Sequence, residues 1–430
     1  MPLDPALADR ILQAVDEGFD AQLDYLKTLV RFPSQRGEEH AAQDFVFQEL
    51  RKRGFAMERF AMDEEAIRRH PGGSPFSPTH STAPIVVGIH RPREETGRSL
   101  IMQGHIDVVP VGPLEMWTSP PYEPRIDGDW FYGRGAGDMK AGHGAMVAVF
   151  DALRRAGVQP AATVYVQSVV EEESTGNGAL QCHLRGYKAQ AALIPEPSQG
   201  RITRGNVGVV WFQFTVQGFP VHVREAGNGQ NAIEAAYGIM RALRELEAFW
   251  NTRTKDHPLF KDEPHPINLN FGLIKGGDWA SSVPAWCTVD CRISIFPGEK
   301  PQDMMRAIED TIARAARQDR FLANNPPKVV FNGFTTEGYI LKPGSEAEAV
   351  LARAHERAWG EPLQEAVTPA YLDGRVYALF DDIPTLNYGP TAERVHGFDE
   401  RFSIESLRKA TKSMALFVAE WCGTEPVRAP

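Results

Sequence analysis

The sequence has little cysteine, no excess of basic charge and no hydrophobic run long enough to span a bilayer. Its four cysteines lack paired Cys-x-x-Cys spacing, so we interpret them as reduced core residues. The net charge of −10 is the wrong sign for binding phosphates, which argues against a nucleic-acid partner. Residues 1–20 are acidic and amphipathic and lack the basic and apolar regions of a signal peptide. We therefore expect a cytoplasmic enzyme that binds no membrane.

What is present is an ordinary globular composition in a long chain. With 430 residues, 42% of them apolar, two domains are expected. Apolar residues at helical spacing over 6–53, interrupted at Phe32-Pro33-Ser34, predict two helices, and the Pro-, Gly- and Ser-rich segment 63–81 predicts an exposed loop. After it, β-like runs alternate with a helix at 140–156, which is typical of an α/β fold with a mostly parallel sheet covered by helices on both faces; the runs are 85–89, 99–102, 162–170 and 191–194.

The middle of the chain has a different pattern. Predicted strands and helices follow in the order βαββαβ of a ferredoxin-like α+β sandwich, at 207–217, 231–250, 267–274, 285–295, 301–318 and 328–334. The α/β pattern then resumes with helices at 345–359 and 405–421. We expect a catalytic domain in two pieces, residues 1–205 and 336–430, with a lid domain inserted at 206–335.

Side chains that can bind metals follow several of the apolar runs. Each motif is weak alone, but two histidines and several carboxylates nearly all stand where an α/β fold places its chemistry, just after strands. Their joint order predicts a hydrolytic site with two metal ions; the residues are His105 and Asp107, Asp138 after a glycine-rich turn, Glu171-Glu172-Glu173, Glu196 between two prolines, and His396.

The chemistry of each residue type suggests a role. His105 can give a nitrogen to a metal, and Asp107 can hydrogen-bond a neighbouring group and tune its basicity. The two oxygens of Asp138 can bridge cations about 3.5–4 Å apart, the usual two-metal geometry. If one glutamate of the run ligates metal, its neighbour can act as general base.

Two other interpretations compete with this one. The turn with glycines at 133, 135 and 137 could be a dinucleotide loop, but a carboxylate stands where the third small residue is needed and would repel a pyrophosphate. The glutamate run could be an acidic surface loop, which does not explain why it ends a buried strand. Among the other histidines, we expect His143 to pack, whereas His222 follows a lid strand and could reach a substrate carbonyl.

The chain resembles the di-zinc metallopeptidases that include acetylornithine deacetylase, succinyl-diaminopimelate desuccinylase, aminoacylase and glutamate carboxypeptidase. The resemblance runs from Leu29-Val30-Arg31-Phe32-Pro33-Ser34 to His396. It implies two ions, zinc with cobalt or manganese able to substitute. One ion would be held by His105, Asp138 and Glu196, and the other by Asp138, Glu173 and His396.

The same resemblance assigns the remaining roles. Glu172 would be the general acid/base, and Asp107 would orient His105. In the lid, His222 would polarise the scissile carbonyl across a homodimer, Arg292 would contact a substrate carboxylate, and Asn268, at a neighbouring lid position, would also bind the substrate. Two departures matter: Glu171 stands where the family has Asp, which could shift the register of the glutamates by one residue, and Gly389-Pro390-Thr391 replaces Gly-Pro-Gly.

Three functions remain open at this point. The first is a metal-dependent amidohydrolase that removes an acetyl, formyl or succinyl group from a small amino-acid-like molecule, as acetylornithine deacetylase does. The second is a di- or carboxypeptidase that uses the same two metals on a short peptide. The third is a binding or regulatory protein that has kept the fold without turnover, which the complete ligand set argues against.

Overall fold

The computed structural model describes residues 3–427. Within that range the α-helices are α1 (Pro5–Val30), α2 (His40–Lys52), α3 (Glu64–Arg69), α4 (Ala141–Arg155), α5 (Asn177–Leu184), α6 (Ala232–Asn251), α7 (Pro301–Gln318), α8 (Glu346–Trp359), α9 (Gly374–Phe380) and α10 (Ile404–Trp421). None of these helices combines the length and the apolar character that crossing a bilayer requires.

The strands fall into several sheets. They are β1 (Ala56–Phe60), β2 (Ile85–His90), β3 (Leu100–His105), β4 (Arg125–Asp127), β5 (Trp130–Tyr132), β6 (Val158–Pro160), β7 (Val164–Val169), β8 (Ala191–Ile194), β9 (Ile202–Asn206), β10 (Gly208–Gln217), β11 (Leu269–Gly276), β12 (Trp286–Ile295), β13 (Lys328–Val330), β14 (Thr335–Thr336), β15 (Tyr339–Ile340), β16 (Glu365–Thr368), β17 (Thr385–Asn387), β18 (Ala392–Glu393), β19 (Arg401–Ser403) and β20 (Thr424–Pro426).

The first two helices confirm the predicted break at Phe32-Pro33-Ser34. α1 begins where the Asp4 side chain accepts the N–H of Leu7 and Pro5 occupies the first turn, an arrangement that stabilises a helix start. The prediction of an exposed loop over 63–81 was wrong in part. Asp63 caps the short helix α3, whose Ile67 is fully buried, because the Pro- and Gly-rich composition of the segment masked one amphipathic turn.

The main sheet has the strand order β1-β2-β7-β3-β8-β17. β7, β3, β8 and β17 pair in parallel, whereas β2 runs antiparallel to both neighbours, so the sheet of this α/β fold is mixed. Leu100 and Met102 of β3 join the core that contains residues of α1, α4 and α10, while Ile101 packs on the opposite face with Tyr377 of α9. Helices therefore cover both faces, which explains why β3 and β8 are buried throughout.

A second sheet has the order β11-β12-β10-β13, and its pairings are antiparallel. Its core joins strand residues such as Phe212 and Val289 to Leu243 of α6 and Ile308 of α7. The opposite face of β10 and β12 is more polar and only partly buried.

The four cysteines, Cys182, Cys287, Cys291 and Cys422, are buried and unpaired.

Candidate metal centre

Three of the predicted ligand segments lie at one edge of the main sheet. His105 ends β3, the glutamate run comes after the end of β7, and Glu196 comes after the end of β8. Because β7, β3 and β8 are parallel neighbours, their carboxyl ends meet at the same edge. Asp138 and His396 reach that edge from loops that precede α4 and β19.

The carboxylate of Asp138 lies between the two histidines. Its Oδ1 is 3.1 Å from Nε2 of His105, and its Oδ2 is 3.3 Å from Nε2 of His396. Glu196 adds an oxygen 3.6 Å from the same nitrogen of His105, and Glu173 adds one 3.0 Å from the nitrogen of His396. The five predicted ligands are thus brought together in two groups that share Asp138.

The charges of this cluster suit divalent cations. Within residues 3–427, the ion pairs made by Asp138, Glu172, Glu173 and Glu196 are with histidines only. Burial raises the pKa of Glu172 and of Glu196 well above the usual range, and Glu173 raises the pKa of His396 to about 11. Crowded carboxylates hold protons unless a cation compensates them, and carboxylate with imidazole is a donor set that fits zinc and similar ions.

Asp107 acts on the site through two different groups. Its backbone carbonyl oxygen is 2.9 Å from Nδ1 of His105, whereas its carboxylate oxygen is 3.7 Å from that nitrogen. The carboxylate instead accepts the backbone N–H groups of Glu172 and Glu173, at 3.4 and 3.1 Å. The orientation of His105, expected from the Asp107 side chain, is therefore provided mainly by the main chain, which leaves Nε2 to face Asp138.

The three glutamates of the run have separate surroundings. Glu171 is fully buried and turned away from the cluster: its carboxylate binds the Arg36 guanidinium at 2.5 and 2.8 Å and accepts from Ser81 N–H and the Thr175 hydroxyl. Glu172 lies 3.9 Å from Nε2 of His105, and Glu173 contacts His396. The structure thus brings Glu172 and Glu173 to the cluster and leaves Glu171 outside it.

The glycine-rich turn before Asp138 has no free phosphate cradle. Gly133 and Gly135 have φ values of 156° and 71°, and a Cβ at Gly137 would lie 2.7 Å from Cβ of Ala392, so glycine is needed for conformation and packing. The N–H groups of 135, 137 and 138 all donate to the carboxylate of Glu400. The dinucleotide interpretation fails because those donors are already used. Glu400 was not among the predicted site residues, because no local sequence signal marks it.

Arg292 of the second sheet is close enough to the acidic cluster for the charges of Glu173 and Glu172 to act on its guanidinium. It pairs opposite Trp211 on β10 and Asn270 on β11. Burial lowers the pKa of its guanidinium, and the charges of Glu173 and Glu172 act in the opposite direction. Asn268, predicted to bind the substrate, donates its side-chain amide to the carbonyl of His265. Asn270, which was not predicted, is instead the asparagine opposite Arg292.

Two further histidines lie outside the cluster. His222 is exposed, and its Nδ1 accepts the N–H of Arg224 at the start of a short 3₁₀ helix, so within one chain it does not join the other predicted site residues. His143 is fully buried in α4, with Nε2 3.1 Å from the hydroxyl of Ser168. Burial lowers the pKa of His143 to about 3, consistent with a neutral packing residue.

The chain is similar to known proteins in sequence and in fold. The model of peptidase family M20/M25/M40 matches residues 101–420. N-formyl-4-amino-5-aminomethyl-2-methylpyrimidine deformylase of Halalkalibacterium halodurans is 30% identical over 76% of this chain and 80% of its own. Succinyl-diaminopimelate desuccinylase of Methylibium petroleiphilum is 25% identical over 88% of this chain and 92% of its own.

A solved structure shares the fold over nearly the full length. The dipeptidase Dug1p of Saccharomyces cerevisiae superposes with a TM-score of 0.78, with 15% identity over 96% of this chain and 98% of that one. At that identity the likeness concerns the fold.

Proposed function

The chain belongs to peptidase family M20/M25/M40, and we propose that it is a metal-dependent amidohydrolase that removes an N-acyl group from a small amino-acid-like substrate. It is a hydrolase of linear amide bonds, and the two relatives described above are by name a deformylase and a desuccinylase. One observation carries the proposal: two groups of ligands share Asp138, with the buried Glu172 beside them.

The residues present would hold two divalent ions, for which zinc is the first expectation and cobalt or manganese the substitutes. His105, Asp138 and Glu196 would hold one, and Asp138, Glu173 and His396 the other. When bound, such ions supply Lewis acidity that lowers the pKa of water and polarises the acyl carbonyl.

Glu172 is our candidate for the proton transfers. Its carboxylate is buried beside His105 and has no lysine or arginine partner within residues 3–427, so it is free to accept a proton. Burial raises its pKa, which suits a group that must take a proton from the attacking water and return it to the leaving nitrogen. Asp107 would hold the backbone of Glu172 and Glu173 in place through the contacts described above.

Arg292 supports recognition of an anionic group on the substrate. Its guanidinium is within range of the charges of Glu173 and Glu172, and no hydrogen bond or ion pair within residues 3–427 occupies it. A planar guanidinium binds a carboxylate bidentately. We place Asn270 beside it in substrate binding, in preference to Asn268.

The Arg292 guanidinium also favours the second candidate function, a di- or carboxypeptidase, because a peptide ends in a carboxylate. The two functions separate in one assay. The metal-loaded protein is tested on N-formyl, N-acetyl and N-succinyl amino acids, an N-formyl aminomethylpyrimidine and dipeptides, with zinc or cobalt supplied. Higher kcat/KM on an N-acyl compound supports the deacylase; preference for dipeptides replaces it with the peptidase, and turnover of none refutes both.

We further propose that residues 206–335 form a lid that pairs with its copy in a homodimer, while 1–205 and 336–430 form the catalytic domain. Support comes from β11, an edge strand whose Leu273 and Ile274 are exposed, and from Tyr237, which is exposed on α6. Edges of this kind are normally covered. Pairing about a two-fold axis would also allow the exposed His222 to reach the other subunit's site and stabilise the oxyanion there.

Mixing two inactive variants tests this arrangement. His222→Ala and Glu172→Gln are combined under conditions that exchange subunits, which is verified with differently tagged chains. A heterodimer would contain one site with both Glu172 and His222 intact, so about a quarter of the wild-type activity should return if assortment is random. Proven exchange without any return of activity would show that His222 serves its own chain or is not catalytic.

A further inference from the structure

One buried carboxylate holds most of the loop that carries Asp138. Glu400 is 1% exposed, and its two oxygens accept four donors: Nη1 of Arg134 at 2.6 Å and the N–H groups of Gly135, Gly137 and Asp138 at 2.9–3.0 Å. Its own backbone carbonyl accepts the N–H of Gly133. A single side chain therefore fixes the direction in which the Asp138 loop presents its carboxylate.

Arg134, the ion-pair partner of Glu400, also contacts the loop that carries His396. Nη2 of Arg134 lies 3.3 Å from the carbonyl oxygen of Pro110 and 3.5 Å from that of His396. Arg134 is itself 1% exposed and lies over the ring of Trp117, 5.1 Å from its centroid. The ion pair thus joins two loops that are far apart in sequence and bear two of the candidate ligands.

The loop around His396 needs such external support. Arg394, His396 and Asp399 all have positive φ, between 55° and 64°, which is unfavourable for residues other than glycine. Asp399 is held from outside, since its carboxylate accepts the N–H and the hydroxyl of Thr118. The main chain of His396 is held from outside the loop by Arg134, whose Nη2 lies 3.5 Å from its carbonyl oxygen.

We propose that Arg134 and Glu400 are positioning residues that set the spacing of Asp138 and His396 and thereby mainly the affinity for one of the two metal ions. This inference rests on the proposed function and specifies how its metal centre is held. The ion that Asp138, Glu173 and His396 would bind should be affected more strongly, because two of its ligands lie on loops tied by the pair, whereas the other ion has only Asp138 on such a loop. His105 and Glu196, at the ends of β3 and β8, do not depend on the pair.

A role in stability alone would not require a buried ion pair at Arg134 and Glu400. Buried ion pairs contribute little to stability that apolar residues of the same volume could not replace. Four converging donors, three of them main-chain N–H groups, need a charged acceptor with two oxygens. Residues that orient ligands in this way typically alter metal affinity about 10- to 100-fold when changed.

Glu400→Gln tests the inference, with Glu348→Gln as the matched control. Glu348 also accepts a guanidinium, that of the buried Arg204, and a backbone N–H, that of Gly344, but it touches no candidate ligand. Metal-free wild type and variants are titrated with Zn²⁺ against a chromophoric chelator and with Co²⁺ by visible absorption. Glu400→Gln should bind the ion of Asp138, Glu173 and His396 about 10–100-fold more weakly and change its cobalt spectrum, while the ion of His105, Asp138 and Glu196 loses less affinity.

The control separates positioning from folding. Both variants should lose thermal stability, but Glu348→Gln should keep both affinities and the wild-type cobalt spectrum. Unchanged metal binding in Glu400→Gln would overturn the inference and leave the proposed function intact. Failure of the wild type to bind two ions would overturn both.

Arg134→Lys provides the decision if Glu400→Gln does not fold. A lysine keeps a charge for Glu400 but cannot also reach the carbonyls of Pro110 and His396. A smaller loss of affinity for the same ion supports the positioning role, and a wild-type titration curve overturns it.

Discussion

Replacing Glu171 by glutamine should lower the stability of the protein, whereas replacing the neighbouring Glu172 should lower its turnover. Glu171→Gln removes the charge that pairs with Arg36 and places an amide N–H₂ among the donors of Arg36, Ser81 and Thr175. Losing one charge of a buried pair costs about 3–5 kcal/mol. Because the Arg36 side chain is 22% exposed and can be partly rehydrated, we expect a loss at or just below the lower end of that range, about 2–3 kcal/mol.

Glu172→Gln should lower turnover and leave the stability of the metal-free protein unchanged. Glu172 has no lysine or arginine within residues 3–427 to leave unpaired, so the free energy of unfolding of the metal-free protein should not fall. Turnover should drop about 10²–10⁴-fold, equivalent to about 3–5 kcal/mol in the activation barrier, while both metals are retained.

Urea unfolding, metal analysis and hydrolysis of the best N-acyl substrate, all on the same preparations, give the comparison. Glu171→Gln should hydrolyse the substrate at a rate of the wild-type order of magnitude while it remains folded. If Glu171→Gln loses turnover at full stability, or Glu172→Gln loses metal or unfolds easily, the roles of the glutamates are shifted by one residue and the reasoning is refuted.

Two further predictions concern Arg292 and His143. Arg292→Ala should raise KM for a carboxylate substrate by about 10–100-fold, the loss of a charge-assisted bidentate contact, and scarcely affect the corresponding amide; equal losses on both would indicate a structural role. His143 has a pKa lowered to about 3 by burial, so below its unfolded pKa of about 6.5 only the unfolded chain takes up the proton. On acidification the metal-free protein should therefore lose about 1.4 kcal/mol of unfolding free energy per pH unit through this group. His143→Gln should reduce the slope of unfolding free energy against pH by that amount. Urea titrations between about pH 6 and about pH 4.5 measure the slope. Equal slopes in wild type and variant would contradict the assignment of His143 as neutral in the folded protein.

The elements that sequence predicted best are those whose signals are local. The helices 301–318 and 405–421 appear as α7 and α10 within one residue of their predicted bounds, because an apolar stripe at helical spacing fills each of them. The candidate metal ligands could be found in the sequence for a similar reason. His105 ends one buried strand and Glu196 stands just after another, and parallel neighbours bring their carboxyl ends to one edge of a sheet.

Contacts between distant segments could not be predicted in this way. Glu400 reads in the sequence as one charge in an acidic turn, and its donors lie more than 260 residues earlier. Glu171 is chemically identical to its neighbours, and only the positions of Arg36 and Ser81 in space show that it faces away from the site. The small sheet of β18, β19, β5 and β4 likewise joins short strands that are separate in the chain.

Strand register explains why substrate recognition is the hardest part to predict. Asn268 immediately precedes β11 and Asn270 lies within it, two positions later, so the alternation of side chains gives both the same face and the sequence alone gives no reason to prefer one. Their difference arises from pairing: β11 meets β12 with an irregularity between Phe271 and Leu273, and this register places Asn270 opposite Arg292. A shift of two residues would keep the same side chains of β11 on each face of the sheet and yet change which of them flanks the guanidinium. Catalytic chemistry shared by deacylases and peptidases is therefore visible in local motifs, whereas the choice between their substrates depends on how distant strands align.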